Sequence, residues 1–162
     1  MLETHVSAIK KTLSGNDTGD TGSHQAGMLV PKDEQILSFF PKLGKESKNP
    51  RAIINVVDNV DQDWNFNFIY YNGKFFGGTR NEFRLTGMTA YIRRNNLRPG
   101  DSIILERNSD DLIRIRYERM RDLDTVIDVT VKDLILREEP ETYIEKPKTR
   151  LVLSSSWKVI RY

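Results

Sequence analysis

Apolar and polar residues alternate with period two through much of this chain, in short segments. Trp64–Tyr71 (WNFNFIYY) alternates cleanly, and Leu112–Glu118 (LIRIRYE) does the same. Ala52–Asp58 (AIINVVD) is β-rich, and Gly27–Pro31 is a short apolar run. Segments of this kind predict strands that bury one face. Ser102–Arg107, Val126–Val131, Arg150–Ser154 and Trp157–Tyr162 complete the predicted set. Helical spacing appears twice. Within Asp33–Leu43, Ile36, Leu37, Phe39 and Phe40 recur at helical intervals, and Pro41 closes the run. Within Thr86–Asn95, Met88, Tyr91 and Ile92 share a face, with Thr86 expected as the cap. Asn72-Gly73 and Arg98-Pro99-Gly100-Asp101 are turn signals. Seven or more short strands with two short helices predict a closed or nearly closed β-barrel.

One segment breaks the pattern. Ser14–Gly27 (SGNDTGDTGSHQAG) is rich in glycine and nearly devoid of apolar side chains, so it is expected to be a surface loop or arm. The chain has 162 residues, a natural length for one domain spanning 1–162, and 38% of them are hydrophobic against 30% charged. No apolar run approaches the roughly 20 residues that span a bilayer, and MLETHVSAIKK at the N-terminus has no signal-peptide segment. No membrane partner is expected, and an intracellular protein is. The absence of cysteine excludes a disulfide scaffold, a thiolate zinc site and a thiol nucleophile.

The net charge of +2 conceals an uneven distribution. Between Lys74 and Arg98 lie six basic residues and one acidic residue, Glu82; between Asp122 and Glu145 lie eight acidic and two basic. DNA attracts the first stretch through counterion release and repels the second. The acidic stretch leaves room for a protein–protein adaptor.

Catalytic readings fare poorly. Asp17-Thr18-Gly19 and Asp20-Thr21-Gly22 each spell the aspartic-protease tripeptide, but two copies three residues apart cannot supply two facing carboxylates from two structural halves. Glu46-Ser47-Lys48 contains the E-x-K part of a metal-dependent nuclease site, which needs a further carboxylate on an adjacent strand; here it is set among loop-forming residues, and a nuclease centred near Glu46 and Lys48 stays the alternative. No catalytic or metal-binding residue is assigned, and the chain by itself is expected not to be an enzyme.

The binding reading is richer. Tyr70–Gly87 (YYNGKFFGGTRNEFRLTG) is hairpin-like and projects Lys74, Thr79, Arg80, Asn81, Glu82 and Arg84. Arginine forks onto guanine, asparagine pairs with adenine, and glutamate accepts from the cytosine amino group. Glu82 is informative, because base readout uses a carboxylate that simple phosphate neutralisation would not. The Ser14–Gln25 arm offers donors and acceptors on Ser14, Asn16, Asp17, Thr18, Asp20, Thr21, Ser23, His24 and Gln25. Lys11 at its base, and Arg93 and Arg94 on the second helix, are expected to meet phosphates. The expected partner is double-stranded DNA carrying a short specific site.

Leu13–Pro31 and Tyr70–Thr86 resemble the two DNA-binding arms of the N-terminal effector domain of EcoRII-type restriction endonucleases, in the same order and at similar separation. The T-R-N-E-x-R core at Thr79–Arg84 and the N-D-T-G run at Asn16–Gly19 carry the likeness. Ile92–Arg107 (IRRNNLRPGDSIILER) resembles the helix–turn–strand of the plant "B-three" DNA-binding domains. The resemblance implies a seven-stranded DNA-binding pseudobarrel, mainly β with short helices, whose arms grip the major groove from either side. It implies a CC(A/T)GG-like site, read as an effector domain. It places Asp17, Thr18, His24 and Gln25 in the first arm, and Lys74, Thr79, Arg80, Asn81, Glu82 and Arg84 in the second. Gly78 and Phe83 stand where basic residues are expected. Cleavage is expected to belong to a fused C-terminal nuclease domain, which alone would need Mg2+; binding needs no cofactor.

Overall fold

The alternation of Asp63–Tyr71 becomes the longest strand of a computed structural model that describes residues 6–20, 27–120 and 156–162. The elements in order are β1 (Ala8–Thr12), α1 (Gly15–Thr18), β2 (Met28–Val30), α2 (Glu34–Phe39), β3 (Arg51–Val57), β4 (Asp63–Tyr71), a 3-10 turn (Gly73–Phe76), β5 (Glu82–Thr86), α3 (Thr89–Arg94), β6 (Ser102–Arg107), β7 (Ile113–Glu118) and β8 (Trp157–Val159). The predicted strands Val126–Val131 and Arg150–Ser154 lie outside the described residues.

All eight strands form one sheet in the order β2-β5-β4-β3-β7-β6-β1-β8. Every pairing is antiparallel except β3 with β7. The sheet curls until its two edges meet: the Trp157 indole N–H on β8 donates to the Leu29 carbonyl on β2 at 2.8 Å. That contact makes the sheet a nearly closed pseudobarrel, mainly β with short helices, and gives an edge carbonyl a partner. The resemblance implied seven strands; among the described residues the sheet has eight, and both edge strands are only three residues long.

Inward positions fill the barrel. Ile9, Val30, Phe66, Phe68, Leu85, Leu105 and Ile115 are essentially inaccessible, and Phe39 of α2 and Tyr91 of α3 are buried in the same core. Phe40, Phe68, Phe83 and Tyr70 continue as a run of stacked rings 4.3–5.5 Å apart, a spacing at which offset aromatic pairs attract. The Leu97–Asp101 turn is fastened by its aspartate, whose carboxylate accepts from Arg98 N and Met120 N. Its backbone also pairs with Leu13, so the turn holds the root of the first arm.

Several expectations are corrected. Strand β1 went unpredicted. The helix expected from Thr86 begins at Thr89: Thr86 ends β5, paired with Asn67, and the cap residue Met88 offers no side-chain bond. The Ser14–Gly27 stretch is not loop throughout, since Gly15–Thr18 is a helical turn. Asn72-Gly73 opens a 3-10 turn, and the last strand stops at Val159 rather than Tyr162.

Candidate nucleic-acid interface

Because side chains alternate along a strand, burying Leu85 and packing the partly buried Phe83 against the core turns Glu82, Arg84 and Thr86 to the other face of β5. The register sets one row of Leu29, Arg84, Ile69 and Arg51 across four strands, with Tyr71 beside Glu82 and Asn67 beside Thr86. The two arms flank this strip. The first ends at Gly27, against Leu85 and Thr86; the second leads directly into Glu82. Glu82 and Thr86, at the two ends of β5, are four residue steps apart, about 14 Å at ~3.4 Å per step, close to the roughly 12 Å width of the DNA major groove. Gly27 permits this closure: it has φ +85, and a Cβ there would lie 2.5 Å from Thr86 Cγ2 and 2.7 Å from the Leu85 carbonyl.

At the centre of the strip Glu82 sits between two arginines. Its Oε1 accepts from Arg80 Nη2 at 2.6 Å and from Arg84 Nε at 3.1 Å. Arg84 also donates to the Gly27 carbonyl at 3.0 Å, which ties the strip to the end of the first arm. The Arg80 guanidinium lies 3.8 Å from the centroid of the Tyr71 ring, a cation–π contact that orients its fork. The hydrogen bond from Arg84, opposed by burial and aided by Arg80, holds the Glu82 carboxyl below the usual range. A depressed carboxylate stabilises the folded chain above its unfolded pKa, and that contribution disappears as pH falls through the lower folded value. Stability is therefore expected to fall more steeply on acidification in the parent chain than in Glu82→Gln, as read by urea midpoints across the carboxylate range. Identical acid limbs would contradict this.

The other predicted residues divide by environment. Lys74, Thr79 and Arg80 are exposed on the second arm, and Asn81 is half-buried with its Oδ1 accepting from the Tyr70 hydroxyl at 2.6 Å. Arg93 and Arg94 are exposed on α3, which packs against α1 of the first arm. Arg94 lies 5.8 Å from the Trp64 ring centroid and helps Trp64, Gln62 and Val60 overcome the burial of Asp58, keeping its carboxyl below the ordinary range. Ser14, Asn16 and Asp20 are exposed, and Thr18 is partly buried. Thr21, Ser23, His24 and Gln25 lie outside the described residues, as does the acidic stretch Asp122–Glu145.

Two of the expected DNA contacts have a different position. Lys11 and Asp17 are both buried and ion-paired at 3.1 Å, each side chain 7% exposed. Lys11 also bonds Ser156, and Asp17 closes a capping box with Ser14. Their charges meet each other rather than solvent, so they fix the first arm instead of touching phosphate. The same bonding leaves Asp17 unfit for a protease dyad. Glu46 and Lys48 lie in an exposed loop, and among the described residues no three histidine, aspartate or glutamate side chains gather to hold a metal. Sequence reasoning missed Tyr71 under Arg80, Arg51 on the strip, and Asn72. The buried Asn72 amide accepts from Asn49 N and donates to the Ser47 carbonyl, anchoring the second arm. Asn72 carried a signal in its Asn-Gly dipeptide, read only as a turn.

Comparison with known proteins bears on this arrangement. The family model described as restriction endonuclease EcoRII, N-terminal, matches residues 3–101. Type II restriction enzyme EcoRII of Escherichia coli is 39% identical over 79 residues, covering 47% of this chain and 19% of that enzyme. Auxin response factor 15 of Oryza sativa subsp. japonica is 27% identical over 113 residues, covering 70% of this chain and 14% of that factor. The match thus spans less than a fifth of either relative. Among solved structures, the Arabidopsis FUS3-DNA complex contains a chain that superposes with a TM-score of 0.53 at 20% identity, covering 68% of this chain and 94% of that one. This likeness is one of fold. With both predicted arms inside the matched span, the chain belongs to the family of EcoRII N-terminal domains.

Proposed function

We propose that this chain recognises a short specific site in double-stranded DNA, with its two arms entering the major groove from either side of β5. One observation carries the reading: an Arg80–Glu82–Arg84 cluster runs from the second arm onto β5 and is tied through Arg84 to Gly27, where the first arm ends. Arginines held by a carboxylate and a ring are pre-ordered for bidentate contact with guanine, which lowers the entropic cost of binding. Arg80, Arg84 and Asn81 are assigned to base edges, and Lys74, Arg93 and Arg94 to phosphates. Glu82 aligns the two arginines, and its second role is acceptance from cytosine. Ser14, Asn16, Thr18, Asp20, Thr21, Ser23, His24 and Gln25 supply the first arm's share. Binding requires no metal. The relatives' far greater length supports a further reading, that residues 1–162 are the N-terminal module of a longer cytoplasmic restriction enzyme whose fused nuclease domain uses Mg2+. The site is taken to be CC(A/T)GG-like, altered by the uncharged Gly78 and Phe83.

A direct test titrates the chain with a CC(A/T)GG duplex and with a permuted duplex of equal composition. Tighter binding to the first supports the reading; equal binding removes the assigned site. Arg93 provides a separate check on the phosphate contacts, being exposed and free of the Trp64 and Asp58 interactions that involve Arg94. Arg93→Ala is expected to weaken specific and random duplexes alike and to reduce the slope of log K against log salt by about 1. An unchanged slope would remove Arg93 from the interface.

A further inference from the structure

The second arm ends in two large apolar rings that the fold does not use. Phe75 is 66% exposed and Phe76 43%, and neither belongs to the core or stacks on another aromatic ring among the described residues. They are nonetheless held firmly. Lys74 N donates to the Arg80 carbonyl at 2.8 Å, Gly78 N to the Gly73 carbonyl at 2.7 Å, and Phe75 N to the Asn72 carbonyl at 3.0 Å. Gly77 takes φ +83, and a Cβ on Gly78 would come within 3.2 Å of the Gly73 carbonyl, so the two glycines close the tip tightly. Buried Asn72 fastens the base of this loop to residues 47 and 49. The exposed rings thus stand on a loop whose backbone is fixed, between Lys74 and Arg80, a cationic setting that suits a polyanion better than a lipid or an apolar protein face.

A major groove offers one apolar group to such a tip, the methyl on C5 of a pyrimidine. We infer that Phe75 and Phe76 are specificity-determining residues that read 5-methyl groups of pyrimidines, on thymine or on 5-methylcytosine. The inference rests on the proposed DNA reading of the arms and adds to it a contact that hydrogen-bonding side chains cannot make. It gives the domain a means of sensing thymine position and cytosine methylation.

The test uses the whole chain and a duplex that the chain enriches from a randomised pool. Each thymine is replaced in turn by uracil, which deletes one methyl and leaves the hydrogen-bonding edge intact. Each cytosine is replaced separately by 5-methylcytosine. In the parent chain, at least one thymine-to-uracil change is expected to weaken binding about fourfold, the value of one buried methyl-sized group, or one added cytosine methyl to strengthen it similarly. In Phe75→Ala/Phe76→Ala, with an unchanged thermal midpoint, both sensitivities should vanish while the preference for the site persists. The uracil arm identifies thymine as the source of the methyl, and the methylcytosine arm identifies the modified base. Insensitivity of the parent chain to every replacement, or equal sensitivity in the double variant, overturns the inference and leaves the DNA reading standing. A pool from which nothing is enriched overturns both.

Discussion

Asp17→Ala is expected to cost the domain about 3–5 kcal/mol of folding stability, because it leaves the Lys11 ammonium buried without its partner. The same change strips the Ser14 N–H of its acceptor and opens the capping box of α1. Since α1 packs against α3, the loss should loosen the seat of the first arm and reduce DNA affinity together with stability. Asp17→Asn is the sharper probe, as it retains an oxygen for Ser14 and removes only the charge. Adding Lys11→Met to Asp17→Asn should recover much of the loss, because a buried pair replaced on both sides no longer leaves a lone charge. Urea unfolding at unchanged m-value measures each variant. A loss within about 0.5 kcal/mol for Asp17→Ala, the range of ordinary surface changes, would contradict the buried pair.

Arg80→Ala is expected to cost about 1–3 kcal/mol of binding to the specific duplex and much less to a random one, so that specificity relaxes. Arg80→Lys should not rescue it, since an ammonium lacks the planar fork and stacks less well on Tyr71. Equal weakening of specific and random duplexes by Arg80→Ala would reduce Arg80 to a phosphate contact.

The legible and illegible parts of the fold have physical causes. Strand β4 was plain in the sequence because Phe66 and Phe68 face the core while Asn65 and Asn67 do not. Strand β1 was hidden because Lys11 points inward to meet Asp17, whereas hydrophobic periodicity assigns every lysine to solvent. Strand β5 was hidden because only Phe83 and Leu85 carry its apolar signal, diluted by Glu82 and Arg84. The start of α3 was misjudged because Thr86 has the chemistry of a cap but its backbone is already committed to the ladder with β4. At the candidate site, the sequence showed an acidic residue within a basic arm. It could not show that Glu82 bonds both arginines, since that needs Arg84 two residues on along the same face of β5 and Arg80 folded back from the arm that precedes the strand. Tyr71 was invisible as a support for Arg80, because only the β4–β5 register sets Tyr71 beside Glu82 and so within reach of the arginine just before the strand.

Selection of bound molecules from a randomised duplex pool at moderate salt tests sequence-specific recognition most directly. Enrichment of one short motif, lost when Arg80→Ala replaces the parent chain, is the predicted result. Retention of duplexes without sequence preference, or of none at all, would contradict it.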